Sequence, residues 1–415
     1  MKTVVLVLVL LGVSMPHGAT SRTLPVGPKA QFGSIKNAVS AAVAGDTIII
    51  YPGIYKEGNI VIEKSITILG KGRPVIDGEG KFEIFTIHAN NTTVRGIRFM
   101  NTGVASISDI AAIKVLDSKR IQIIDNQLQD TFFGIYLANT TDSRIERNQI
   151  ESTVENEFRK ANGIHLWKCQ NIAIDSNYIK GHRDGIYFEF VTNSIITRNK
   201  SRDNLRYGLH FMFSHSDEYR NNTFAENGAG VAVMYSKNVT MINNSFLHNW
   251  GSAAYGLLLK DIRDSKVMKN IFDENSVGIF MEGSSRMTFE ENIFKRNGYA
   301  VRLQASCDDN NFHGNNFEGN TFDIVTNGSL VLNKIDGNYW DKYEGYDLNH
   351  DQVGDVCYRP ISLYGTIIEQ TPTAVLLWRS FLVSLIDKAE KAIPAITPEN
   401  LFDATPLMKP YDIVR

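Results

Sequence analysis

The sequence predicts an all-β fold, a right-handed parallel β-helix with one coil about every 22 residues. Short apolar strands and turns ending in asparagine recur, as in "IQIIDNQL", "VTMINNSF" and "MTFEENIF". A glycine follows seven of these asparagines, in five cases after 8 or 9 residues, and no helical pattern lies between the repeats. The asparagines are Asn126, Asn148, Asn177, Asn199, Asn222, Asn244, Asn270, Asn292, Asn316 and Asn338, and the glycines are Gly134, Gly163, Gly185, Gly208, Gly230, Gly256 and Gly278. We therefore expect one solenoid in which each coil packs on its neighbours and asparagines stack at one corner.

The first 20 residues are predicted to form a secretory signal peptide. Lys2 precedes an apolar run from Val4 to Val13, and small residues follow up to Ser21. This order is typical of a cleaved export signal, and the run is too short to span a bilayer. We therefore expect residues 1–20 to be removed and the mature chain to work outside the cytoplasm.

The β-helix is predicted over residues 21–360, with a helical cap at its start and a helical tail at its end. "QFGSIKNAVSAAV" has the apolar spacing of a short amphipathic helix near residues 33–43. After residue 360 the pattern becomes helical in "TAVLLWRSFLVSLIDKAEKAI", so residues 361–415 are predicted to form a helical docking tail. Two interpretations stay open. The tail folds back onto the β-helix, or it docks on a membrane partner through Trp378, Phe381 and Leu385.

The composition narrows the class of protein. The formal net charge of the 415 residues is -2, which argues against a nucleic-acid partner. The three cysteines, Cys169, Cys307 and Cys357, show neither a disulfide framework nor zinc-ligand spacing. Cys169 and Cys307 are about six coils apart, roughly 29 Å at the usual strand spacing, which excludes a disulfide between them.

The glycine register separates the side chains of each coil into two faces, because successive residues of a strand point to opposite sides. Residues one and three positions after each glycine are apolar, which predicts that they fill the lumen. Residues two and four positions after it point outward, and we call these positions the outer stripe. They are Tyr136, His165, Tyr187, His210, Ala232, Leu258, Phe280 and Arg302, and Ala138, Trp167, Glu189, Met212, Met234, Lys260, Glu282 and Gln304. An exposed stripe rich in apolar residues is typical of a partner surface, for which we select Tyr136, Trp167, Tyr187, Leu258 and Phe280.

Two methionines of the outer stripe are predicted to meet across neighbouring coils. Met212 and Met234 occupy one column about 4.8 Å apart, and His210 lies two residues before Met212. Thioether and imidazole groups together suit Cu(I). The candidate Cu(I) ligands are therefore His210, Met212 and Met234, with His165 and His215 as further candidates. The alternative is an adaptable protein-docking patch without metal.

Two insertions are expected to flank the outer stripe. Residues 151–162 and 248–255 lengthen their coils just before the glycine, so both loops should emerge at the same corner. Binding residues are often carried by loops of this kind.

An enzymatic function has weaker support in the sequence. Glu189 and Glu282 are four coils apart, roughly 19 Å, whereas paired carboxylates that hydrolyse sugars are at most about 9.5 Å apart. The best catalytic candidate is "GHRDG", with His182, Arg183 and Asp184, although a corner of the coil explains this stretch better. We therefore predict a non-enzyme, with a polysaccharide lyase, epimerase or hydrolase as the alternative.

A calcium site is a further candidate in "DLNHDQVGD". Asp347, Asn349, Asp351 and Asp355 have the alternating oxygen spacing of calcium loops. Gln352 stands where such loops place glycine, and no closing glutamate follows. A structural Ca²⁺ is therefore one interpretation, and a polar turn is the other.

Several longer runs resemble one family. "NGIHLWKC", "GHRDGIYFEFVTNS", "RYGLHFMFSH", "NGAGVAVMYS" and "GNYWDKYEGYDL" look like the NosD family of nitrous oxide reductase maturation proteins. The resemblance continues through "LWRSFLVSLIDKAEKAIP" and so covers nearly the whole chain after the signal.

The resemblance implies a periplasmic β-helix that helps to assemble the copper–sulfur centre of nitrous oxide reductase, with transient Cu(I) as cargo. The implied partners are ABC permease and ATPase subunits, a copper chaperone lipoprotein and the reductase itself. On this view the helical tail attaches the protein peripherally to the inner membrane through the permease, and ATP hydrolysis belongs to the partner.

Overall fold

The polypeptide winds into a β-helix made of three parallel sheets. The computed structural model describes residues 21–105, 107–328, 332–392 and 401–413, so the predicted signal peptide lies outside the described residues. Each strand pairs in parallel with the strands of neighbouring coils, and one turn takes about 23 residues. The predicted parallel β-helix and its repeat are confirmed.

The strands are two to six residues long, and each coil contributes one to each sheet. Sheet 1 contains Thr23–Val26, Thr47–Ile50, Thr67–Gly70, Thr93–Arg95, Gln122–Ile124, Thr141–Glu146, Gln170–Asp175, Ile195–Thr197, Glu218–Arg220, Thr240–Ile242, Lys266–Met268, Thr288–Glu290, Asn311–His313 and Lys334–Asp336. Sheet 2 contains Ile54–Tyr55, Val75–Asp77, Arg98–Met100, Gln127–Gln129, Gln149–Glu151, Tyr178–Lys180, Lys200–Arg202, Thr223–Ala225, Ser245–Leu247, Ile271–Asp273, Ile293–Lys295, Asn316–Glu318 and Tyr339–Trp340. Sheet 3 contains Ile60–Ile62, Phe85–Ile87, Ala111–Leu116, Phe133–Ala138, Ile164–Trp167, Asp184–Glu189, Tyr207–Met212, Ala229–Met234, Tyr255–Lys260, Val277–Glu282, Tyr299–Leu303 and Phe322–Thr326. The outer stripe lies on sheet 3.

Aromatic side chains fill the lumen beneath sheet 2. The rings of Phe246 and Phe272 stack with centroids 4.6 Å apart, and Phe317 stacks on Trp340 at 4.1 Å. The whole stack comprises Phe224, Phe246, Phe272, Phe294, Phe317 and Trp340, all of them buried. Each buried ring contributes about 2–3 kcal/mol of hydrophobic stabilisation. The lumen is a packed core, so a binding site for an external partner has to use the outer surface.

The repeated glycine lies where the backbones of successive coils approach most closely. A Cβ atom added at Gly208 would be 2.6 Å from the carbonyl oxygen of Gly230 and 2.9 Å from Asn227 Nδ2. Both distances are too short for a carbon atom, so this position requires glycine for space rather than for a left-handed conformation. The register that sorts the outer and inner faces in the sequence therefore has a steric cause.

Buried asparagines form a ladder at the corner before sheet 2. Asn199 Nδ2 donates to Asn222 Oδ1 at 3.0 Å, and the same oxygen accepts the backbone N–H of Asn199 at 2.9 Å. The sequence repeat predicts Asn316 in the ladder, and this prediction is wrong. Asn315 takes the place, since it accepts from Asn292 and donates to Asn338. A second ladder, absent from the sequence prediction, contains Asn204, Asn227, Asn249, Asn275, Asn297 and Asn320.

Helix α1, Ile35–Ala41, closes the first coils as the sequence predicts. Ser34 caps it by accepting the backbone N–H of Asn37 through its side chain. Ile35, Ala38 and Val39 bury the inner face of the helix against the strands below.

The C-terminal part begins with helix α2, Leu363–Gln370, a 3-10 turn, Pro372–Leu377, and helix α3, Phe381–Ala392. We call these three elements the helical hairpin. The predicted tail is not helical throughout, because residues 401–413 lack helix and return to the last coils. Among the described residues, no helix combines the length and hydropathy needed to cross a bilayer.

Residues 401–413 form a strap across the last coils of the β-helix. Its carboxylate Asp403 is buried and accepts hydrogen bonds from the backbone N–H groups of Gly337 and Asn338 and from Trp340 Nε1. It also accepts from Asn338 Nδ2, the last amide of the first asparagine ladder. The strap therefore supplies acceptors that a further coil would otherwise provide.

Candidate functional site

The outer stripe runs along sheet 3 in the predicted register. His165 pairs with Tyr136 and Tyr187, and Met212 pairs with Glu189 and Met234. The intervening positions, among them Leu209 and Phe211, are buried in the lumen. The assignment of inner and outer faces is thus correct.

The first half of the stripe is an aromatic ladder. Ring centroids are 4.8 Å apart between Tyr136 and His165, 4.8 Å between His165 and Tyr187, and 4.9 Å between Tyr187 and His210. Phe133 packs edge-on against both Tyr136 and His165. The predicted exposure is therefore wrong at this end, where Tyr136 is buried and the rings cover one another.

His210 is only 4% exposed, so the prediction that it is displayed on the surface is wrong. Its Nδ1 atom lies 3.5 Å from Asp184 Oδ2 and 3.5 Å from Arg206 Nη2. The rings of Tyr187 and Tyr207 lie against it, with centroids 4.9 and 4.7 Å away. Its Nε2 atom is buried without a hydrogen-bond partner.

A bidentate ion pair holds Asp184, the strongest catalytic candidate in the sequence. Arg206 Nε and Nη2 donate to its two oxygens at 3.0 and 2.7 Å. Burial opposes ionisation of Asp184, but hydrogen bonds from His210 and Arg206 outweigh it and lower the pKa of this carboxyl. Its neighbour His182 is fully buried, and burial lowers the pKa of that imidazole to about 4. "GHRDG" is therefore a buried corner rather than an open pair of acid and base.

Met212 and Met234 face outward in adjacent coils, as predicted, and both are half-buried. Glu189 precedes them in the column and Lys260 follows, paired with Glu282 at 3.5 Å. The two thioethers therefore lie between charged neighbours. The part of the stripe from Met212 onward, which follows the aromatic ladder, is called its open half below.

The two remaining histidines lie apart from the methionines. His165 is half-buried beside Asn162, with 2.9 Å between Asn162 Nδ2 and His165 Nδ1. Burial, with a smaller effect of Arg183, lowers the pKa of His165 to about 3, so its ring is neutral at physiological pH. His215 lies past the strand in a bridge to Thr192 and Lys237. Burial and then the Lys237 charge lower its pKa.

The remaining residues selected for partner docking are half-buried. Trp167 carries the ammonium of Lys168 over its ring at 4.3 Å. Tyr187 belongs to the aromatic ladder, whereas Leu258 and Phe280 are paired on adjacent strands in the open half of the stripe. Tyr255 packs on Phe280 with centroids 5.2 Å apart.

Both long loops emerge between sheet 2 and sheet 3, at the corner beside the stripe, as the sequence predicts. Phe158 and Trp250, near their tips, are 91% and 67% exposed. Ala161, at the end of the first loop, packs against Phe133 and Tyr136 and covers the start of the stripe. The connection from Met100 to Ala111 is a third loop at this corner, and the sequence repeat misses it because it lies outside the asparagine register.

The helical hairpin both folds back and leaves an apolar face uncovered, so the two interpretations of the tail are compatible. Arg302 on sheet 3 binds Glu369 on α2 through two contacts of 2.8 and 3.0 Å. Trp378 is 38% exposed, and one side of its ring packs on Phe322 and Tyr364. Phe381 and Leu385, the other two selected residues, are 84% and 52% exposed.

The proposed calcium ligands already serve their own loop. Asp347 accepts the backbone N–H groups of Asp351 and Gln352, and Asp355 accepts that of Leu348. Asn349 accepts from the Asp351 backbone. Within the described ranges, no group of three or more His, Cys, Asp or Glu side chains is arranged to hold a metal ion. Calcium stays a prediction, and the observed geometry is that of a polar turn.

Sequence reasoning missed Arg206 and an exposed aromatic stack. Arg206 directly precedes Tyr207, and Tyr207 pairs with Asp184 of the preceding coil. The strand register could therefore have predicted that Arg206 lies near Asp184. Phe190, Phe213 and Tyr235 stack at 5.4 and 5.0 Å directly after the stripe. All three have left-handed backbones, with φ of 50 to 54°. The stack presents ring edges to solvent.

Comparison with known proteins finds similarity to NosD proteins. A family model described as "Periplasmic copper-binding protein (NosD)" matches residues 151–345. The "Probable ABC transporter binding protein NosD" of Stutzerimonas stutzeri is 26% identical over 374 residues, covering 85% of each chain. Its namesake from Pseudomonas aeruginosa is 28% identical over 372 residues, covering 85% of this chain and 86% of the relative. The chain is therefore similar to NosD proteins along most of its length.

The NosD match of residues 151–345 contains every candidate copper ligand, whereas Tyr136 and the helical hairpin lie outside it. Solved structures share the fold alone. A Streptococcus pneumoniae surface adhesin, PfbA, has a TM-score of 0.59 at 12% identity, covering 70% of this chain and 89% of its own. A Streptomyces thermodiastaticus α-1,3-glucanase has a TM-score of 0.58 at 14% identity, covering 78% and 66%. Adhesins and enzymes therefore use the same scaffold, and function has to be argued from the site.

Proposed function

We propose that this protein belongs to the NosD family and is a non-enzymatic periplasmic maturation factor for the copper–sulfur centre of nitrous oxide reductase. It receives Cu(I), holds the client reductase and acts with an ABC transporter. The family description as a periplasmic copper-binding protein and the relatives' names as ABC transporter binding proteins support it. The structural observation that carries it is the uncovered apolar face of the helical hairpin.

The uncovered face consists of large side chains fixed on a rigid support. Leu376 in the 3-10 turn is 86% exposed, and Phe381, Leu382 and Leu385 at the start of α3 are exposed as well. The ion pair between Arg302 and Glu369 and the aromatic contacts of Trp378 fasten the hairpin to the β-helix. An exposed patch of this kind usually marks a protein or membrane contact. The occupant we propose is the permease subunit, whose apolar surface is accessible at the membrane, with the ATPase subunit behind it.

Charging the hairpin face tests the transporter contact. The double variant Phe381→Glu, Leu385→Glu should lose co-purification with the permease–ATPase complex, because two carboxylates would be desolvated in an apolar interface. Ile54→Glu is the matched control, since Ile54 is an exposed apolar residue at the opposite end of the solenoid. Retained co-purification of the double variant would contradict permease docking through this face.

The methionine pair supports the copper part of the proposal. Met212 and Met234 are the soft ligands that adjacent coils place side by side on the open half of the stripe. Leu258 lies on the strand next to Met234 and pairs with Phe280, and we propose that this part of the stripe contacts the copper chaperone lipoprotein and the reductase.

Anaerobic Cu(I) titration with a competing chelator tests the copper site. The double variant Met212→Ala, Met234→Ala should bind Cu(I) at least about tenfold more weakly, since both thioether ligands are lost. Met268→Ala is the control, because Met268 is a half-buried outward methionine on sheet 1. Unchanged affinity in the double variant would favour a metal-free scaffold, which still captures the transporter.

A further inference from the structure

We propose that Asp184 and Arg206 are positioning residues that hold His210 with its Nε2 lone pair free to bind Cu(I). This inference rests on the proposed function and deepens it by naming the groups that prepare one ligand. Neither the family description nor the relatives' names assign a role to this pair.

The starting observation is an unpartnered nitrogen. His210 is nearly fully buried, yet its Nε2 atom has no hydrogen-bond partner in the structure. A buried polar atom left unpaired costs about 1–3 kcal/mol, so it calls for an explanation. The other ring nitrogen, Nδ1, has two charged neighbours, Asp184 and Arg206.

Charge decides which ring nitrogen carries the proton. A lone pair on Nδ1 would face the Asp184 carboxylate at 3.5 Å and be repelled, whereas an Nδ1–H group is attracted. Arg206 Nη2 has a second N–H group at the same distance from Nδ1. If Nδ1 accepted it, the ring proton would sit on Nε2, buried without an acceptor, and an orphaned buried N–H is rarer than an orphaned buried acceptor. The neutral ring therefore carries its proton on Nδ1 and keeps a lone pair on Nε2.

A histidine arranged in this way is typical of a metal ligand. Metal-binding histidines almost always donate the second ring N–H to a carboxylate or carbonyl, which fixes both the tautomer and the ring orientation. Here the carboxylate is fixed in turn by a bidentate guanidinium, so its position is set by two contacts. No water molecule is needed to orient the ring.

The soft ligands lie on the same outward face. Met212 is two residues further along the strand, and Met234 lies beside it in the next coil. An Nε2 atom with two thioethers is a donor set suited to Cu(I). Tyr207 packs on His210, and Arg206 lies over the Tyr207 ring at 5.1 Å, so the same arginine also holds the ring that covers the histidine.

The tautomer is measurable on the unmodified protein without copper. Histidine side-chain ¹⁵N spectra of the full mature chain should show His210 protonated on Nδ1 and bare on Nε2, assigned by loss of its signals in His210→Gln. A proton on Nε2 would overturn the inference. This measurement stands even if substitutions at Asp184 prevent folding.

Copper affinity provides the second readout. Asp184→Asn should weaken Cu(I) binding about 10- to 100-fold, the usual effect of removing a carboxylate behind a metal-binding histidine. X-ray absorption of the Cu(I)-loaded wild type should show one nitrogen and two sulfur neighbours. Asp175→Asn is the matched control, since Asp175 pairs with Arg198 at 2.6 Å on sheet 1, away from any histidine in the stripe.

The two proposals fail in different ways. If neither wild type nor variants bind Cu(I), the copper function fails, while the tautomer still tests the positioning pair. If the wild type binds Cu(I) through Met212 and Met234 but Asp184→Asn binds equally well, the positioning role is overturned and the copper function stands.

Discussion

At the residue scale, the carboxylate of Asp217 is buried at a corner of its coil. Asp217 is buried, with one oxygen accepting the backbone N–H of Ser194 at 2.8 Å and the other without a partner. Burial raises the pKa of Asp217 to about 8, against a smaller lowering by the Ser194 N–H. Asn310 occupies the equivalent corner position in a later coil, where its side-chain amide accepts the backbone N–H of Met287 and donates to Asn333 Oδ1.

Asp217→Asn should stabilise the protein and flatten its pH dependence. The folded pKa lies above the unfolded value near 4, so the stability that Asp217 contributes is full below about pH 4 and is lost as pH rises to about 8. Replacement by asparagine removes this loss, which we expect to be on the order of 4 kcal/mol at pH 7.

Urea unfolding midpoints at pH 5, 6, 7 and 8 provide the measurement for this prediction. The exposed turn variant Asp309→Asn should leave the profile unchanged. A wild-type midpoint that rises between pH 5 and 8 relative to the Asp217 variant would contradict the assignment.

At the element scale, the ladders and the glycine column have different causes. Ladder amides pair with the backbone and side chain of the next coil, so each one satisfies groups that the corner would otherwise bury unpaired. Asn315 and Asn316 illustrate how closely position matters. Asn315 lies in the ladder, whereas the side chain of Asn316 exchanges hydrogen bonds with the backbone of Tyr411 in the strap.

Asn315→Ala should therefore destabilise the protein by at least about 2 kcal/mol more than Asn316→Ala. The first change leaves the Asn292 amide, the Phe289 carbonyl and Asn338 short of partners inside the solenoid. The second affects only the strap contact. Thermal unfolding of both variants under identical conditions compares them, and equal losses would show that the ladder contributes no more than a local contact.

At the scale of the whole molecule, the solenoid is a chain of neighbours whose ends need caps. The strap closes the last coil through Asp403, and the helical hairpin lies between that coil and the strap in the sequence. Both ends of the hairpin are therefore tied to the same end of the β-helix. A partner that pulls on the hairpin would act on a rigid support.

Asp403→Ala should loosen the last coils first. It leaves Trp340 Nε1 and the backbone N–H groups of Gly337 and Asn338 without their acceptor. Because each coil contacts only its neighbours, the loss should spread from this end. Hydrogen exchange should rise at least about tenfold in residues 334–340 and stay unchanged in residues 122–129. Asp412→Ala, at an exposed position of the strap, is the control, and a uniform rise along the chain would contradict local capping.

Periodicity determined much of this protein. The glycine register follows from a steric limit between backbones, so it was enough to predict the parallel β-helix, the packed lumen and the outward direction of Met212 and Met234. The apolar spacing likewise predicted α1 and the hairpin helices. These features depend on local alternation, which a sequence records directly.

Only the tertiary structure decided which outward residues are accessible and what they contact. His210 and Tyr136 point outward yet are buried. Tyr187 of the preceding coil and Arg206 and Tyr207 of the same coil cover His210, and Phe133 and the loop residue Ala161 cover Tyr136. Trp378 packs partly on Phe322, while Phe381 stays uncovered. The choice of Asn315 over Asn316 depended on where one coil meets the next. The face to which a side chain points is set by its position in the strand. Its burial depends on how other side chains and loops pack over it, and the repeat in the sequence does not specify that packing.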